Sequence, residues 1–302
     1  PRIRTNFLRT LAIQRSRPSA LAAEAFAKAI YGDHSYGRIY PTEAMLKAYT
    51  IDDVQRFYKS HFGAARTHVY VAGRFEPSLK QAITAAFESW ESGTTTEFKV
   101  PKTTATKSFA LIDRPGAAQS TIIFGLPLPP PADADYLPLV VTDSLLGGSF
   151  ASRITTNIRE QKGYTYSPFS SITTHYHDAH WSESADVTTA VTGAALQEIV
   201  NEIKKIRKDP PTAEELAGIK SFLAGLFVLR NSSRQGVINQ LRFVDLQGLP
   251  ENWLRDYVPN VLKVTPQDVQ RAAETYLNPD KMALVVVGDK SKIADQLTPY
   301  SQ

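Results

Sequence analysis

The sequence predicts an α+β protein in which an antiparallel-rich sheet packed against a helical layer occurs twice, once in part and once complete. Three observations predict this. Thr50-Ile-Asp-Asp-Val-Gln-Arg and Thr265-Pro-Gln-Asp-Val-Gln-Arg match at one offset, 265 − 50 = 215, which runs on without a gap to place Arg66–Gly73 (RTHVYVAG) on Lys281–Gly288 (KMALVVVG). Both times a short helix opened by an N-cap threonine leads to a strand closed by glycine. Helices and strands come in blocks rather than in strict β-α-β alternation, which selects a layered sandwich over a doubly wound sheet. The 302 residues, 42% hydrophobic and 21% charged, are the composition of a globular chain of about two domains.

In order along the chain, apolar residues at helical spacing predict helices at 3–15, 19–31, 42–49 and 51–61, then a strand at 66–73 and a helix at 77–90. The polar stretch Glu91–Lys107 reads as a connection, dividing the chain into 1–95, a linker at 96–107, and 108–302. Strands follow at 108–113 and 119–126, helices at 133–146 and 150–161, and a hairpin of strands at 163–174 and 181–188. Helices at 190–207, 212–230, 233–247, 251–259 and 266–276 and a strand at 282–287 complete the second copy. The first strand of that copy would have its counterpart at 108 − 215 = −107, ahead of residue 1, so the first copy is expected to lack its front half.

Several function classes drop out. The charge balance is 34 − 30 = +4 with Lys and Arg scattered, which does not make a nucleic-acid stripe. No apolar run approaches the roughly 18 residues of a membrane span. Zero cysteines exclude disulfides, Cys-based zinc sites and a thiol nucleophile. Residues 1–18 contain no uninterrupted apolar core of a secretory signal, and a periplasmic or secreted setting is favoured over a cytoplasmic one. No G-x-S-x-G elbow is present, and Asp113, Asp133, Asp143 and Asp186 show no carboxylate pairing at informative spacing.

The cluster His175-Tyr-His-Asp-Ala-His is the one rival metal candidate, since H-x-H on a strand puts two imidazoles on one face. With Asp178 at the expected hairpin, a solvated turn accounts for it better than a structural metal. Gly147-Gly148 has no following Lys-Ser/Thr and reads as a helix-to-helix turn rather than a phosphate cradle. Tyr31, Tyr36 and Phe57–Tyr58 read as core and interface residues of the helical layer. Arg159 taken alone reads as an exposed helix-end arginine near the C-terminal dipole.

The block Leu145-Leu-Gly-Gly-Ser-Phe-Ala-Ser-Arg-Ile-Thr-Thr-Asn-Ile-Arg-Glu-Gln-Lys-Gly-Tyr-Thr-Tyr-Ser resembles the signature of the pitrilysin/insulinase family of zinc metallopeptidases, which includes the mitochondrial processing peptidases. Ala29-Ile-Tyr-Gly-Asp-His-Ser-Tyr-Gly-Arg is similar to the family's tract after its third metal ligand, and Val285-Val-Val-Gly-Asp to its closing strand. The resemblance implies duplicated metallohydrolase-like domains, a bacterial-type zinc protease, and Zn2+ held by an inverted H-x-x-E-H motif. That spacing sets two imidazoles on one helix face with a glutamate as general base. None of the six histidines, His34, His61, His68, His175, His177 and His180, forms it. The resemblance places the motif in the absent front half and the third ligand at or just before Pro1. In the second copy the matching helix reads Val140-Val-Thr-Asp-Ser, without an imidazole, so no residue of this chain is expected to ligate metal.

The resemblance further implies that the second copy supplies an arginine and a tyrosine to the substrate backbone and the developing oxyanion, matched by Arg159 and Tyr164 with Tyr166 as alternative. A guanidinium fork and a phenol suit that charge. The expected partners are a peptide or protein substrate and either a missing N-terminal segment or a second subunit in a homo- or heterodimer. Two roles remain open at this point: half of an active zinc endopeptidase, or a catalytically empty partner or scaffold subunit beside a zinc-bearing chain.

Overall fold

The computed structural model describes residues 2–95 and 97–301. Pro1, where the third metal ligand was expected, lies outside the described residues. The first part is helical: α1 (Arg2–Arg15), α2 (Pro18–Tyr31), α3 (Glu43–Ala48), α4 (Ile51–His61) and α5 (Ser78–Phe87). Between Phe87 and Ser108 the described residues form no helix or strand. Then follow β1 (Ser108–Asp113), β2 (Gln119–Leu128), α6 (Tyr136–Leu146), a π-helical segment at Thr155–Gln161, β3 (Phe169–His175) and β4 (Asp178–Thr188). The remainder comprises α7 (Thr192–Lys208), α8 (Ala213–Asn231), α9 (Arg234–Leu246), α10 (Trp253–Lys263), α11 (Pro266–Tyr276), β5 (Ala283–Gly288) and α12 (Lys290–Ile293).

The five strands form one mixed sheet in the order β1-β5-β2-β4-β3, parallel only between β1 and β5. Both faces are covered, which is why β5 reads as an unbroken apolar run. Alternation along it sends Leu284 and Val286 into the large core with α6, α7 and α11. Ala283, Val285 and Val287 point the other way, onto Ala22 and Phe26 of α2. Helix α2, from the first part of the chain, therefore completes the sheet of the second. In α7, Leu196, Ile199, Ile203 and Ile206 recur at helical spacing and are fully buried.

The internal repeat is visible in the local structure. Helices α4 and α11 each have 11 residues and open with a capping box, Thr50 with Asp53 and Thr265 with Asp268. A 3-10 turn follows each, Ala64–Arg66 and Pro279–Lys281, still 279 − 64 = 215 apart. The strand expected at 66–73 differs. Its counterpart β5 lies between β1 and β2, whereas 66–73 finds no strand partner among the described residues, and extended backbone becomes a strand only by pairing. The helical faces diverge for the same reason. Val269, Ala272 and Ala273 of α11 are fully buried, but Val54, Phe57 and Tyr58 at matching positions of α4 are 55–58% exposed. Phe57 and Tyr58 are thus not core residues; among the described residues no pair of helices packs on α4 as α6 and α7 pack on α11.

Other boundaries shift for identifiable reasons. Helix α10 continues through Pro259, where 259 was expected to end it, because Pro259 is exposed and Val261 beyond it is fully buried. The strand expected from 163 starts at Phe169, since the π-helical turn and Gly163 at φ 64° leave 164–168 irregular.

Candidate functional site

Arg159 lies in the π-helical segment and lines a pocket of about 380 Å³ together with Phe150, Thr155, Tyr166 and Phe169. Its guanidinium sits 4.4 Å from the centre of the Phe150 ring and 5.1 Å from that of Tyr166, between two aromatic faces. Its ion-pair partner is the neighbouring Glu160, at 3.3 Å. Arg153, from the same signature block, is committed elsewhere: Nε and a terminal nitrogen make paired bonds of 3.1 and 3.2 Å to Glu215 in the capping box of α8. Asn157 donates to Glu198 and Glu202 at 3.0 and 2.8 Å, pinning the π segment onto α7.

The two tyrosines do not share a face, as alternation along a strand would have required. Tyr164 packs against the main core, and its backbone N–H donates to Ile158 at 2.8 Å. Tyr166 is 80% exposed and lies over Arg159. This stretch meets β4 through an isolated bridge, Thr165 to Val187, with the Thr188 N–H donating to Tyr164 at 3.2 Å and the Thr165 hydroxyl to Asp186 at 2.7 Å, and not through a continuous ladder, so strand alternation does not govern it.

A second feature was missed by sequence reasoning. Asp143 of α6 and Glu183 of β4, 40 residues apart, converge beneath Gly147-Gly148, so a carboxylate pair does exist. Asp143 Oδ1 accepts from Ser170 Oγ at 2.6 Å and from Trp181 Nε1 at 2.8 Å. Glu183 is fully buried, and no side chain among the described residues donates to either of its carboxyl oxygens. Burial pushes the Asp143 carboxyl up to about 6, and burial together with the Asp143 charge raises that of Glu183 well above the usual range. The glycine pair is explained here. A Cβ on Gly147 would lie 2.6 Å from Glu183 Oε2, and one on Gly148 would lie 2.6 Å from Asp143 Oδ2.

The histidine cluster is not a solvated turn. Tyr176 and His177 make the turn, His177 at φ 50°, while Asp178 pairs with His175 at the start of β4 and is buried. The Tyr31 hydroxyl donates to Asp178 Oδ2 at 2.7 Å and stands 2.8 Å from His180 Nδ1, which fits a neutral His180 with its proton on Nδ1. Burial lowers His180 to about 4. His175 stacks on Tyr36 at 4.3 Å. The tract Ala29–Arg38 thus fastens α2 to the β3–β4 hairpin. Packing against the first part of the chain, unreadable from local polarity, converts the turn into an interface.

No group of three or more His, Cys, Asp or Glu side chains among the described residues is arranged to hold a metal ion. The stretch of α6 that the resemblance matched to the motif, Val140-Val-Thr-Asp-Ser, carries no imidazole. This donor set does not fit zinc. Among the described residues no helix is long and apolar enough to cross a membrane.

The family profile for the peptidase M16 inactive domain matches residues 48–223, and the chain belongs to that family. A protein of Bacillus subtilis described as an uncharacterized zinc protease, YmxG, is 27% identical over 221 residues, covering 70% of this chain and 52% of that protein. The Helicobacter pylori protein described as a non-peptidase homolog, also YmxG, is 23% identical over 277 residues, covering 90% and 62%. This chain spans roughly half to two thirds of the length of the curated relatives it matches. The crystal structure of a peptidase M16 inactive domain from Pseudomonas fluorescens has the same fold, with TM-score 0.86 and 23% identity over 95% of this chain and 69% of that one.

Proposed function

We propose that this chain is the non-metal half of a zinc-dependent endopeptidase that clasps extended peptides between two homologous domains. In this reading residues 1–95 are the C-terminal half of a first peptidase-like domain, 96–107 a linker, and 108–302 the substrate-cleft domain. The observation that carries it is the pocket at Arg159. A guanidinium held between Phe150 and Tyr166, with only an adjacent glutamate as ion-pair partner, is pre-positioned to donate to a peptide carbonyl. The exposed face of α4 supports a partner, supplied either by another segment of the same protein or by a second subunit. Zinc, implied by the names of the relatives, belongs in this reading to that partner and not to residues of this chain.

Tyr166 rather than Tyr164 becomes the phenol donor in this reading, because Tyr164 is engaged with the core. In the assembly that carries H-x-x-E-H, Arg159→Ala should lower kcat more than it raises KM, with a loss on the order of 10²–10³ if it is a principal oxyanion donor. Tyr166→Phe should follow it and Tyr164→Phe should not. Turnover unchanged in Arg159→Ala refutes the contact and leaves the second reading, an inactive partner or scaffold subunit, which the non-peptidase description of the Helicobacter relative favours.

A further inference from the structure

The degenerate site of α6 opens into a cleft of about 350 Å³ between β3, α6, α8, α9 and α10. Aromatic rings make up much of its wall: Phe227 stacks on Tyr257 with centroids 4.5 Å apart, Trp253 meets Tyr257 at 5.2 Å, and Phe243 meets Trp253 at 5.4 Å, with Asn239 and Gln240 among the polar lining groups. Asp143 lines the same cleft and keeps part of its surface open to it. Oδ1 of Asp143 accepts from Ser170 and Trp181, and no side chain among the described residues donates to Oδ2. Glu183 lies beside it, fully buried. The basic lining group, Arg230, is exposed and forms no ion pair with Asp143 among the described residues.

We propose that this cleft is a receptor for a basic side chain, lysine or arginine, presented by a peptide or protein. A largely buried carboxylate in a cleft walled mainly by aromatic rings has no cationic partner, and an entering ammonium or guanidinium supplies the donor that Oδ2 lacks. The ring faces add cation–π attraction to the same charge, while the methylene stem of the guest lies along them. A neutral apolar guest would contact the walls yet leave the carboxylate buried and unpaired. The proposal is independent of the role assigned to Arg159, and holds equally for a peptidase half or a scaffold subunit.

The test is titration of the 302-residue chain with acetylated, amidated Ala-Lys-Ala and Ala-Arg-Ala, against the norleucine tripeptide that keeps the stem and drops the charge. Binding is read from the indole N–H resonances of Trp181, which bonds Asp143, and Trp253, in the wall; Trp90 is the control. The basic peptides should shift Trp181 and Trp253 saturably, with norleucine at least about tenfold weaker. Asp143→Asn, which keeps the acceptor for Ser170 and Trp181, should weaken the lysine peptide by a similar factor. Phe243→Leu, which thins the wall without touching the floor, should weaken it several-fold and serves if the asparagine variant does not fold. Equal binding of norleucine, undiminished binding to the variants, or no shift of Trp181 and Trp253 up to about 10 mM peptide overturns the proposal.

Discussion

Asp143→Asn should change the slope of stability against pH, not only its level. Desolvation raises the folded-state carboxyl to about 6 against the ordinary 3.8, while the hydrogen bonds from Ser170 and Trp181 pull it partly back. Because the folded state holds the proton more tightly than the unfolded chain, the stabilisation is fully present below the unfolded value and is lost as pH rises through the folded one. A shift from 3.8 to about 6 corresponds to about 3 kcal/mol over the full range, of which about 2 kcal/mol falls between roughly pH 4.5 and 7.5. Burial raises the Glu183 carboxyl well above the usual range in wild type and variant alike, so the slope that burial gives it is common to both proteins and drops out of their difference. Urea unfolding of wild type and variant across that range isolates the effect, since carboxylates such as Asp135 and Asp268, lowered by their partners, titrate alike in both proteins. Wild type should lose about 2 kcal/mol relative to the variant on going from the acid to the alkaline end. A difference constant with pH, or one of opposite sign, would refute the assignment of Asp143 as a buried carboxyl with raised proton affinity.

The remaining expectations concern packing. Tyr31→Phe removes the donor to Asp178 and the partner of His180, and should cost about 1–2 kcal/mol, with faster amide exchange in the β3–β4 hairpin; unchanged exchange there would remove the fastening role. Gly147→Ala drives a Cβ to 2.6 Å from both Glu183 Oε2 and Ser170 Oγ and should cost about 1–3 kcal/mol by thermal unfolding. An unaltered Tm would mean the turn relaxes freely. Thr265→Ala should lower global stability by about 1 kcal/mol, because the helix it caps is built into the core. Thr50→Ala, breaking the same box on the exposed α4, should loosen only local exchange; equal global losses would contradict the difference in burial between the repeats.

Legibility followed the range of the interactions. The capping boxes at Thr50 and Thr265, the amphipathic spacing of α7 and the apolar run of β5 are set by residues within one or two turns of each other, and all are plain in the chain. The signature block was legible as a family resemblance, because its spacing is local. Where Tyr164 and Tyr166 point was not, since that depends on a π-helical turn and a left-handed glycine overriding strand alternation. The Asp143–Glu183 pair was illegible for another reason: 40 residues separate its members, and only sheet register and the α6 packing bring them beneath one glycine pair.

The sequence by itself determined the α+β class, the 215-residue repeat, the family signature and the missing H-x-x-E-H motif, all properties of residue type and spacing. Tertiary structure decided which copies of an element become buried. The helix of the repeat is core in α11 and surface in α4 although both carry the same cap, because burial depends on what packs alongside and not on the helix. It likewise turned a polar hairpin into an interface and brought two scattered acids together beneath one glycine pair, since desolvation and pairing act between groups that the chain brings together only on folding.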